Sequence, residues 1–298
     1  MPAYLILLFT LLLAAWSLWL AARTASWPGR LLAFSMALFI YLYGGWVFGS
    51  IYLRSVFAVA FLLLLLFRRW HKVGPQPLCR AKVTGHLAGF VFFGLLSLLY
   101  FTGFPFARQR PSVSLHFPFR HGKYLVFQGG RGLPANAFHV AARGAVYAID
   151  LVKLNRFGNR ANAVFSKNLS DYETFGDTVY APCHGIIQRA EDRNPDNIPP
   201  QRIRGPHNLN AVLIENEHCF VFLGHFKQGS VLVQEGATVK AGQPLALAGN
   251  SGMSLEPHLH LQAHAKTNAD RPWYRQPPLF ILFDGKAYLL NEVIDAGP

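Results

Sequence analysis

The segment that decides the fold of the second half of the chain runs from residue 225 to residue 264 and reads HFKQGSVLVQEGATVKAGQPLALAGNSGMSLEPHLHLQAH. Short runs of aliphatic and β-branched residues at 230–234, 244–248 and 257–264 alternate with turns that contain glycine, asparagine or proline. Short strands with such turns between them are typical of an all-β barrel or sandwich. The segment therefore predicts a mainly-β domain.

The same pattern continues outward from this segment. We predict further strands at 122–128, 145–152, 177–181, 184–189, 210–215, 218–225 and 286–293. Two polar stretches between them, 153–176 and 190–209, contain asparagine and arginine and predict long loops, which are usually functional or mobile. No amphipathic helix of convincing length interrupts the strands, which supports the mainly-β interpretation.

One of the predicted strands carries several histidines. His258 and His260 lie two residues apart in the run 257–264, so their side chains are expected on the same face of the strand. Imidazole is a common zinc ligand, and such a pair can present two nitrogens to one metal. Two hydrogen-bonded histidines on a polar sheet face are the alternative for an isolated pair. Gln262 and His264 continue the face, and we interpret them as solvated residues or as residues that support the ligands from behind.

Three further residues lie at the ends of short motifs. His225 ends the run 218–225, Asp150 ends Tyr147-Ala148-Ile149-Asp150, and His139 follows Asn136-Ala137-Phe138. A carboxylate directly after an apolar strand segment often marks an exposed strand end or a site. Either histidine by itself would be interpreted as a structural or solvated residue. A functional inference therefore depends on all of these residues occurring together in one chain.

In their order along the chain these features closely resemble the lysostaphin/LytM-type zinc metallopeptidases. The resemblance covers roughly residues 120–265. The features that carry it are Asn136 with His139, the segment 147–150, the segment 176–182 with Gly185, His225 before a glycine-rich hairpin region, and the closing Pro257-His258-Leu259-His260.

The resemblance implies a peptidoglycan endopeptidase domain of the duplicated hybrid motif fold, with antiparallel sheets in a barrel-sandwich hybrid arrangement. It implies one zinc ion per domain, held by His139, Asp150 and His260. Three protein ligands leave a fourth position open for water, which is the arrangement of a catalytic zinc site. The resemblance also implies that His225 and His258 stand beside this water as catalytic residues that do not bind the metal, one as proton acceptor and one as donor to the oxyanion.

The first ligand departs from the commonest family pattern. That pattern has a histidine four residues before the aspartate, where this chain has Val146. In the subgroup that the chain resembles, the histidine lies eleven residues before the aspartate, and His139 fits that spacing. His121 is the alternative.

The resemblance thus implies a membrane-anchored zinc metalloendopeptidase that hydrolyses peptide cross-links of bacterial peptidoglycan. The alternative is a non-enzymatic membrane-bound regulator or cell-wall-binding module with the same fold. Family members that have lost activity usually lack metal ligands. All five expected site residues (His139, Asp150, His225, His258 and His260) are present here, which favours the enzyme. A lipoyl- or biotinyl-type carrier is disfavoured because Lys240 lies beside Ala241 and Gly242 in what the family has as an ordinary turn.

The first third of the chain has a different composition. The 298 residues are 52% hydrophobic and only 14% charged, whereas soluble proteins are usually about a quarter charged. Residues 4–22 are apolar and long enough to span a bilayer, and no basic residue precedes Arg23, so we predict an uncleaved helix and not a signal peptide. The apolar block 31–67 would be about 55 Å long as one helix. We therefore predict a domain over 1–105 with four transmembrane helices, near 4–22, 31–48, 51–67 and 85–104.

The positions of the charges predict the orientation of these helices. The chain has no acidic residue before Asp150, and the loop 68–83 holds five Lys or Arg while the loop 23–30 holds two. Cytoplasmic loops are enriched in these residues. The prediction is a multi-pass protein of the bacterial cytoplasmic membrane, with the domain 106–298 on the periplasmic or extracellular side.

The same charges limit the partners. Basic residues of the second half do not cluster beside aromatic residues, so we exclude nucleic acid as a partner although the formal net charge is +13. A transporter or channel is disfavoured because the helices contain no acid and only Arg54 as a buried charge. Besides the lipid bilayer and the peptidoglycan peptide, the four-helix region could bind a membrane protein partner.

The three cysteines predict no disulfide framework. Cys79 lies in the basic loop and is expected to be a free thiol. Cys183 and Cys219 lie in the outer domain, where an oxidising compartment permits a disulfide. Two separate buried thiols are the preferred interpretation, because two cysteines in a large domain do not make a framework.

Overall fold

The computed structural model describes residues 2–24, 26–70, 79–102, 111–130, 135–136, 139, 144–163, 166–201 and 208–298. The chain divides into two compact units, Met1–Thr102 and Gly103–Pro298. We call them the helical unit and the β unit. The predicted domain boundary after residue 105 lies outside the described residues.

The helical unit contains the four helices that the apolar pattern predicts. They are α1 (Pro2–Arg23), α2 (Trp27–Tyr43), α3 (Ile51–Trp70) and α4 (Arg80–Thr102). A short 3-10 helix, Gly44–Trp46, separates α2 from α3, so the apolar block 31–67 forms two helices. Helix α4 begins at Arg80 and not at the predicted residue 85, because Arg80 and Lys82 are good helix formers.

Alanines and larger apolar side chains together fill the interior of the helical unit. Ala21 and Ala33 are fully buried and pack in one apolar cluster with Phe61. Tyr43 Oη donates a hydrogen bond of 2.8 Å to the carbonyl oxygen of Leu96, which ties α2 to α4. The interior is therefore organised around close contacts between helices.

Large apolar side chains also remain on the outside of this unit. Trp16, Leu63 and Leu98 are more than half exposed, and many neighbours on α1, α3 and α4 share this exposure. Within the described residues, one helical segment, Arg80–Phe101, is long and apolar enough to cross a membrane. The apolar helical segments Leu7–Arg23 and Ile51–Phe67 are shorter.

The β unit is built from short strands, as predicted. Thirteen strands are present in its described part: β1 (Ser112–Leu115), β2 (Lys123–Gln128), β3 (Ile149–Leu154), β4 (Thr178–Tyr180), β5 (Gly185–Glu191), β6 (Ala211–Glu215), β7 (Cys219–Gly224), β8 (Thr238–Val239), β9 (Pro244–Leu247), β10 (Leu259–Ala265), β11 (Pro278–Phe283), β12 (Lys286–Ala287) and β13 (Val293–Asp295).

Most of these strands join one large sheet. Its main path has the order β13-β2-β3-β10-β7-β6-β5-β8, and every pair along it is antiparallel. Strand β11 pairs with β10 and also carries antiparallel β12 and parallel β1. Strands β4 and β9 form a separate antiparallel pair. The prediction of a mainly antiparallel β domain is confirmed.

Some predicted strands are wrong. Residues 230–234 form no strand, because their backbone bonds go elsewhere: Val231 N–H donates to Asp192 Oδ2 and Leu232 N–H to the carbonyl of Leu245. The predicted strand 145–152 begins only at Ile149, and 286–293 is divided between β12 and β13. Strands β1, β8 and β11 were not predicted.

Three central strands place the predicted site residues in one row. His260 of β10 pairs with Asp150 of β3 on one side and with Gly224 of β7 on the other. Along β10, Leu259 and Leu261 are fully buried in the core. Because side chains alternate along a strand, His260 and every second residue from it face the opposite side of the sheet.

Candidate metal centre

Three of the predicted site residues form a compact group of potential metal ligands. One atom each of His139, Asp150 and His260 lies within 4.8 Å of the others. His139 Nε2 is 3.2 Å from Asp150 Oδ2, and His260 Nδ1 is 3.0 Å from Asp150 Oδ1. The carboxylate of Asp150 therefore faces both rings, one through each oxygen.

Asn136 orients the ring of His139. The Asn136 side chain is fully buried, and its Oδ1 accepts a hydrogen bond of 2.7 Å from His139 Nδ1. The orientation of the amide is determined, because its nitrogen donates to three backbone carbonyls, those of Gly130, Val146 and Ala148, at 3.2, 3.1 and 3.0 Å. His139 consequently holds a proton on Nδ1 and directs Nε2 towards Asp150, so Nε2 is its potential ligand nitrogen.

The ring of His260 is held in the opposite sense. Its Nε2 lies 3.0 Å from Gln262 Oε1, an oxygen that only accepts hydrogen bonds. The Nε2 atom must then carry a proton, so that Nδ1 is the ligand nitrogen of His260. His139 offers Nε2 and His260 offers Nδ1 to the same point.

The electrostatics of Asp150 suit a cation. Asp150 is 6% exposed, and burial alone would raise its pKa, but the nearby His139 and His258 rings hold the pKa well below its usual range. Burial likewise opposes charge on His260, yet the hydrogen bond that Asp150 accepts from His260 Nδ1, together with the negative charge of Asp150, raises the pKa of His260 overall. The carboxylate is therefore ionised at neutral pH, with positive charge favoured beside it.

The other two predicted site residues, His225 and His258, stand beside this group. Their ring centroids are 4.5 Å apart, and His225 lies 5.8 Å from the ring of His260. His225 Nδ1 donates to the carbonyl of Ser251 at 2.7 Å, and His258 Nδ1 donates to that of Glu256 at 2.8 Å. In both rings Nδ1 therefore carries the proton that is donated to a backbone carbonyl, and Nε2 is the nitrogen that can act on a substrate or water. Burial lowers the pKa of His225, so this ring is neutral.

A special backbone conformation points His225 into the site. Strand β7 ends at Gly224, and His225 has φ 69°, in the left-handed region that few residues other than glycine adopt. The N–H of Gly249 donates to the carbonyl of His225 at 2.9 Å. A Cβ atom at Gly249 would lie 2.3 Å from the backbone nitrogen of Lys227, so this close approach requires glycine. The glycine at position 249 of the motif Ala-Gly-Asn-Ser-Gly (248–252) is therefore required by this contact with the backbone at residues 225–227.

The three ligand residues fit zinc. Two imidazoles and a carboxylate are a ligand set that zinc accepts, with bonds of about 2.0–2.2 Å. Bonds of that length place two ligand atoms at most about 4 Å apart, so the 4.8 Å limit of the group closes with a shift on the order of 1 Å. Each ring already directs one nitrogen to Asp150, and the buried carboxylate supplies the negative charge.

Other sequence predictions have clear outcomes. His121 is exposed, bonds through Nδ1 to the carbonyl of Pro298 and is not in the metal group. Cys183 and Cys219 are buried free thiols of the β core. His264 is fully buried, which excludes the solvated alternative and leaves that of a residue that supports the ligands from behind.

Sequence reasoning missed residues that support the site. Arg160 Nε forms an ion pair of 2.8 Å with Glu256 Oε1, and both side chains are mostly buried. This pair anchors the residue whose carbonyl holds His258. Gln128 pairs in register with Asp150, is 6% exposed, and its Oε1 has no hydrogen-bond partner within the described structure. A β-bulge between Val126 and Gln128 precedes it, and bulges beside sites often redirect a side chain.

The comparison with protein families agrees with the resemblance. The family model described as Peptidase family M23 matches residues 169–272, which confirms the family inferred from the sequence. The matched range includes His225, His258 and His260, whereas His139 and Asp150 precede it. The family is zinc-dependent. No curated protein sequence matches the chain.

Several solved structures are similar to the chain. A zinc containing peptidase from Vibrio cholerae is 18% identical over 55% of this chain and 40% of its own, with a TM-score of 0.30. A variant of the catalytic domain of the prophage-encoded M23 protein EnpA from Enterococcus faecalis is 15% identical over 56% and 92%, with a TM-score of 0.33. The catalytic domain of lysostaphin from Staphylococcus simulans is 19% identical over 50% and 84%, with a TM-score of 0.27.

Proposed function

We propose that the β unit is a zinc metalloendopeptidase that hydrolyses peptide cross-links of bacterial peptidoglycan, and that the helical unit anchors it in the cytoplasmic membrane. One observation carries the enzymatic part of the proposal. His139, Asp150 and His260 converge as ligands, while His225 and His258 lie beside them with Nδ1 bonded to backbone carbonyls. A site that only bound a structural metal would have no use for the two additional rings. The family resemblance further suggests a barrel-sandwich hybrid arrangement of the sheets.

The proposed roles follow from the ring orientations. His139 Nε2, Asp150 and His260 Nδ1 would hold one zinc ion. Bound zinc supplies a water with a pKa near about 7 and polarises the scissile carbonyl. Of His225 and His258, one accepts the proton of the attacking water at Nε2 and passes it to the leaving amine. The other donates from Nε2 to the oxyanion of the tetrahedral intermediate.

The substrate class comes from the family and from the expected location. A peptide substrate follows from the family match, and peptidoglycan is the peptide-containing polymer outside a bacterial cytoplasmic membrane. The competing function is a non-enzymatic regulator or wall-binding module, which would keep the fold without turnover. Retention of all five site residues, each oriented by a buried hydrogen bond or ion pair, favours the enzyme.

The test uses the purified full-length chain in detergent with peptidoglycan sacculi of several cross-link types. We expect mass spectrometry to detect new amino and carboxyl termini within the cross-links. Chelation should stop the reaction, and added zinc should restore it. An Asp150→Ala preparation made in the same way is the matched control for contaminating hydrolases. Zinc binding without cleavage of any cross-link type would contradict the enzymatic proposal and favour the regulator.

For the helical unit we propose four membrane spans with both ends of the unit outside. Helices α1, α3 and α4 have 22, 20 and 23 residues, and about 20 residues cross the hydrocarbon core. Helix α2 has 17 residues and is the shortest. The large apolar side chains exposed on α1, α3 and α4 would be unfavourable in water and are suited to lipid. An anchor of this size could also bind a membrane protein partner.

This topology predicts opposite locations for two reporter positions. A reporter joined after residue 75 should act in the cytoplasm, because the segment 68–83, from the end of α3 to the start of α4, holds five basic residues. A reporter joined after residue 200 should act outside. Alkaline phosphatase and a fluorescent protein, active on opposite sides of the membrane, provide the paired measurement. Both positions on the same side would overturn the four-span proposal and leave the enzymatic proposal intact.

A further inference from the structure

A line of hydrogen bonds leads from His260 into the protein interior. His260 Nε2 lies 3.0 Å from Gln262 Oε1, and Gln262 Nε2 lies 3.3 Å from His264 Nε2. His264 Nδ1 lies 2.9 Å from the backbone carbonyl of Gln276. The three side chains of this line follow each other on one face of β10, and we call them with the Gln276 carbonyl the β10 relay.

The donors and acceptors of the β10 relay are determined from its inner end. The carbonyl of Gln276 can only accept, so His264 must carry a proton on Nδ1. A neutral His264 then has a lone pair on Nε2, which accepts from the amide nitrogen of Gln262. This orients the amide with Oε1 towards His260, and Oε1 accepts from His260 Nε2. Each choice follows from the one before it, and the last choice fixes a proton on Nε2 of His260. Nδ1, which faces Asp150 Oδ1 at 3.0 Å, is then the nitrogen that can exchange its proton for a metal.

The inner end of the β10 relay is rigid. His264 is fully buried, and burial lowers its pKa, which keeps the ring neutral as the relay requires. Trp273 packs edge-on against His264 at 5.5 Å and stacks on Phe222 at 4.9 Å. The Gln276 side chain accepts from Thr267 and donates to the carbonyl of Arg271, which holds the loop that supplies the accepting carbonyl.

We infer that His264 is a positioning residue for the metal centre: through Gln262 it keeps the proton of His260 on Nε2 and so reserves Nδ1 for the metal. The inference rests on the proposed function, because it assumes that His260 binds zinc. Without the acceptor at His264, the Gln262 amide could turn over and present its N–H groups to His260 Nε2. That arrangement would favour the proton on Nδ1, where it competes with the metal.

A merely structural role of His264 makes a different prediction. If His264 only fills the core, an aromatic ring of similar size should replace it with no effect on the metal. The variant His264→Phe keeps the contact with Trp273 and removes both ring nitrogens. The variant His264→Gln retains an acceptor near the position of Nε2, and Gln262→Leu removes the middle of the relay. His184→Phe, at an exposed position of the β unit, is the matched control.

The experiment measures zinc affinity of the full-length chain in detergent by competition with a chelator. We expect His264→Phe and Gln262→Leu to bind zinc about 10–100-fold more weakly, the usual effect of removing a partner of a metal-binding histidine. His264→Gln should recover most of the affinity, and His184→Phe should equal the wild type. Histidine-selective ¹⁵N spectra report in parallel which nitrogen of His260 carries the proton. The expected spectrum has Nε2–H in the wild type and in His264→Gln, and a population that has lost Nε2–H in metal-free His264→Phe.

The outcomes separate this inference from the proposed function. Wild-type zinc affinity and an Nε2–H spectrum in His264→Phe would overturn the positioning role while the metal site stands. A wild-type chain that binds no zinc would refute the proposed function, and the metal-free spectra would still decide whether His264 controls the proton of His260. If thermal melting shows that His264→Phe is unfolded, Gln262→Leu decides. Wild-type affinity in Gln262→Leu would then overturn the inference.

Discussion

Replacing Asp150 with alanine should abolish zinc binding and peptide hydrolysis together. Asp150 is the one anion of the group, and its two oxygens lie 3.2 Å from His139 and 3.0 Å from His260. The variant leaves two neutral imidazoles in a buried site with no negative charge to balance a dication. We expect a zinc content near zero by metal analysis and no detectable cleavage of cross-links. Asp150→Asn should be nearly as damaging, because it retains the shape and loses the charge.

Controls separate loss of metal from loss of fold. Asp270→Ala removes an exposed carboxylate of the same unit and should leave zinc and activity unchanged. Circular dichroism should show that Asp150→Ala retains its β structure. His260→Ala and His139→Ala are expected to lose the metal as well, while His121→Ala is expected to retain it. Stoichiometric zinc in His260→Ala, or loss of zinc in His121→Ala only, would show that the ligand set is wrong.

Lowering the pH should release the metal, because protons compete with zinc for the ligand atoms. Zinc binding requires an ionised Asp150 and unprotonated ligand nitrogens. The pKa of Asp150 is held well below its usual range while that of His260 is raised by Asp150. As pH falls, protons therefore compete with the metal first at His260, and the carboxylate remains charged.

The central strand of the site could be predicted from the sequence because its information is local. The alternation in 257–264 correctly predicts that His258, His260 and His264 share a face, with Leu259 and Leu261 in the core. The same reasoning did not decide between a solvated and a ligand-supporting position for His264. Its burial depends on Trp273 and on the loop up to Gln276, and no local pattern in β10 reports those contacts.

Long-range pairings could not be predicted in this way. Asp150 and His260 are neighbours across β3 and β10 although 110 residues separate them, and only the ordered family motif linked them beforehand. The position of Gln128 beside Asp150 depends on a β-bulge that has no sequence signature. Strand β11 was missed because its apolar run begins at a pair of prolines, Pro277 and Pro278, which ordinarily mark an irregular segment.

For the helices, the sequence predicts the number of elements well but their ends poorly. Their number follows directly from the length of the apolar blocks and from the glycines near residue 44. Their limits do not, because basic residues such as Arg80 extend a helix without contributing to its hydropathy. Hydropathy and loop charge predict four membrane spans, whereas helix length and composition support one of them directly.

Replacing His225 or His258 should leave zinc bound and slow hydrolysis steeply. Neither ring is needed as a ligand, and each is held through Nδ1 by a backbone carbonyl with Nε2 directed to the site. A positioned proton acceptor or donor contributes roughly 10²–10⁴-fold to the rate, and a donor to the oxyanion about 10²–10³-fold. We expect losses of this size in kcat, with wild-type zinc content by metal analysis.

The choice of substitution matters at His225, because its φ of 69° is strained for alanine. His225→Asn is the better variant, since asparagine tolerates the left-handed region and removes the ring. His258→Ala serves at the other position, and His184→Ala is the exposed control.

The double variant should lose less than the product of the two single losses, because both rings act on one transition state. A structural role for His225 predicts a lower melting temperature with an unchanged rate per zinc. Unchanged cleavage in both single variants, with zinc present, would therefore remove the histidine pair from the mechanism and leave the metal centre without its proposed acid and base.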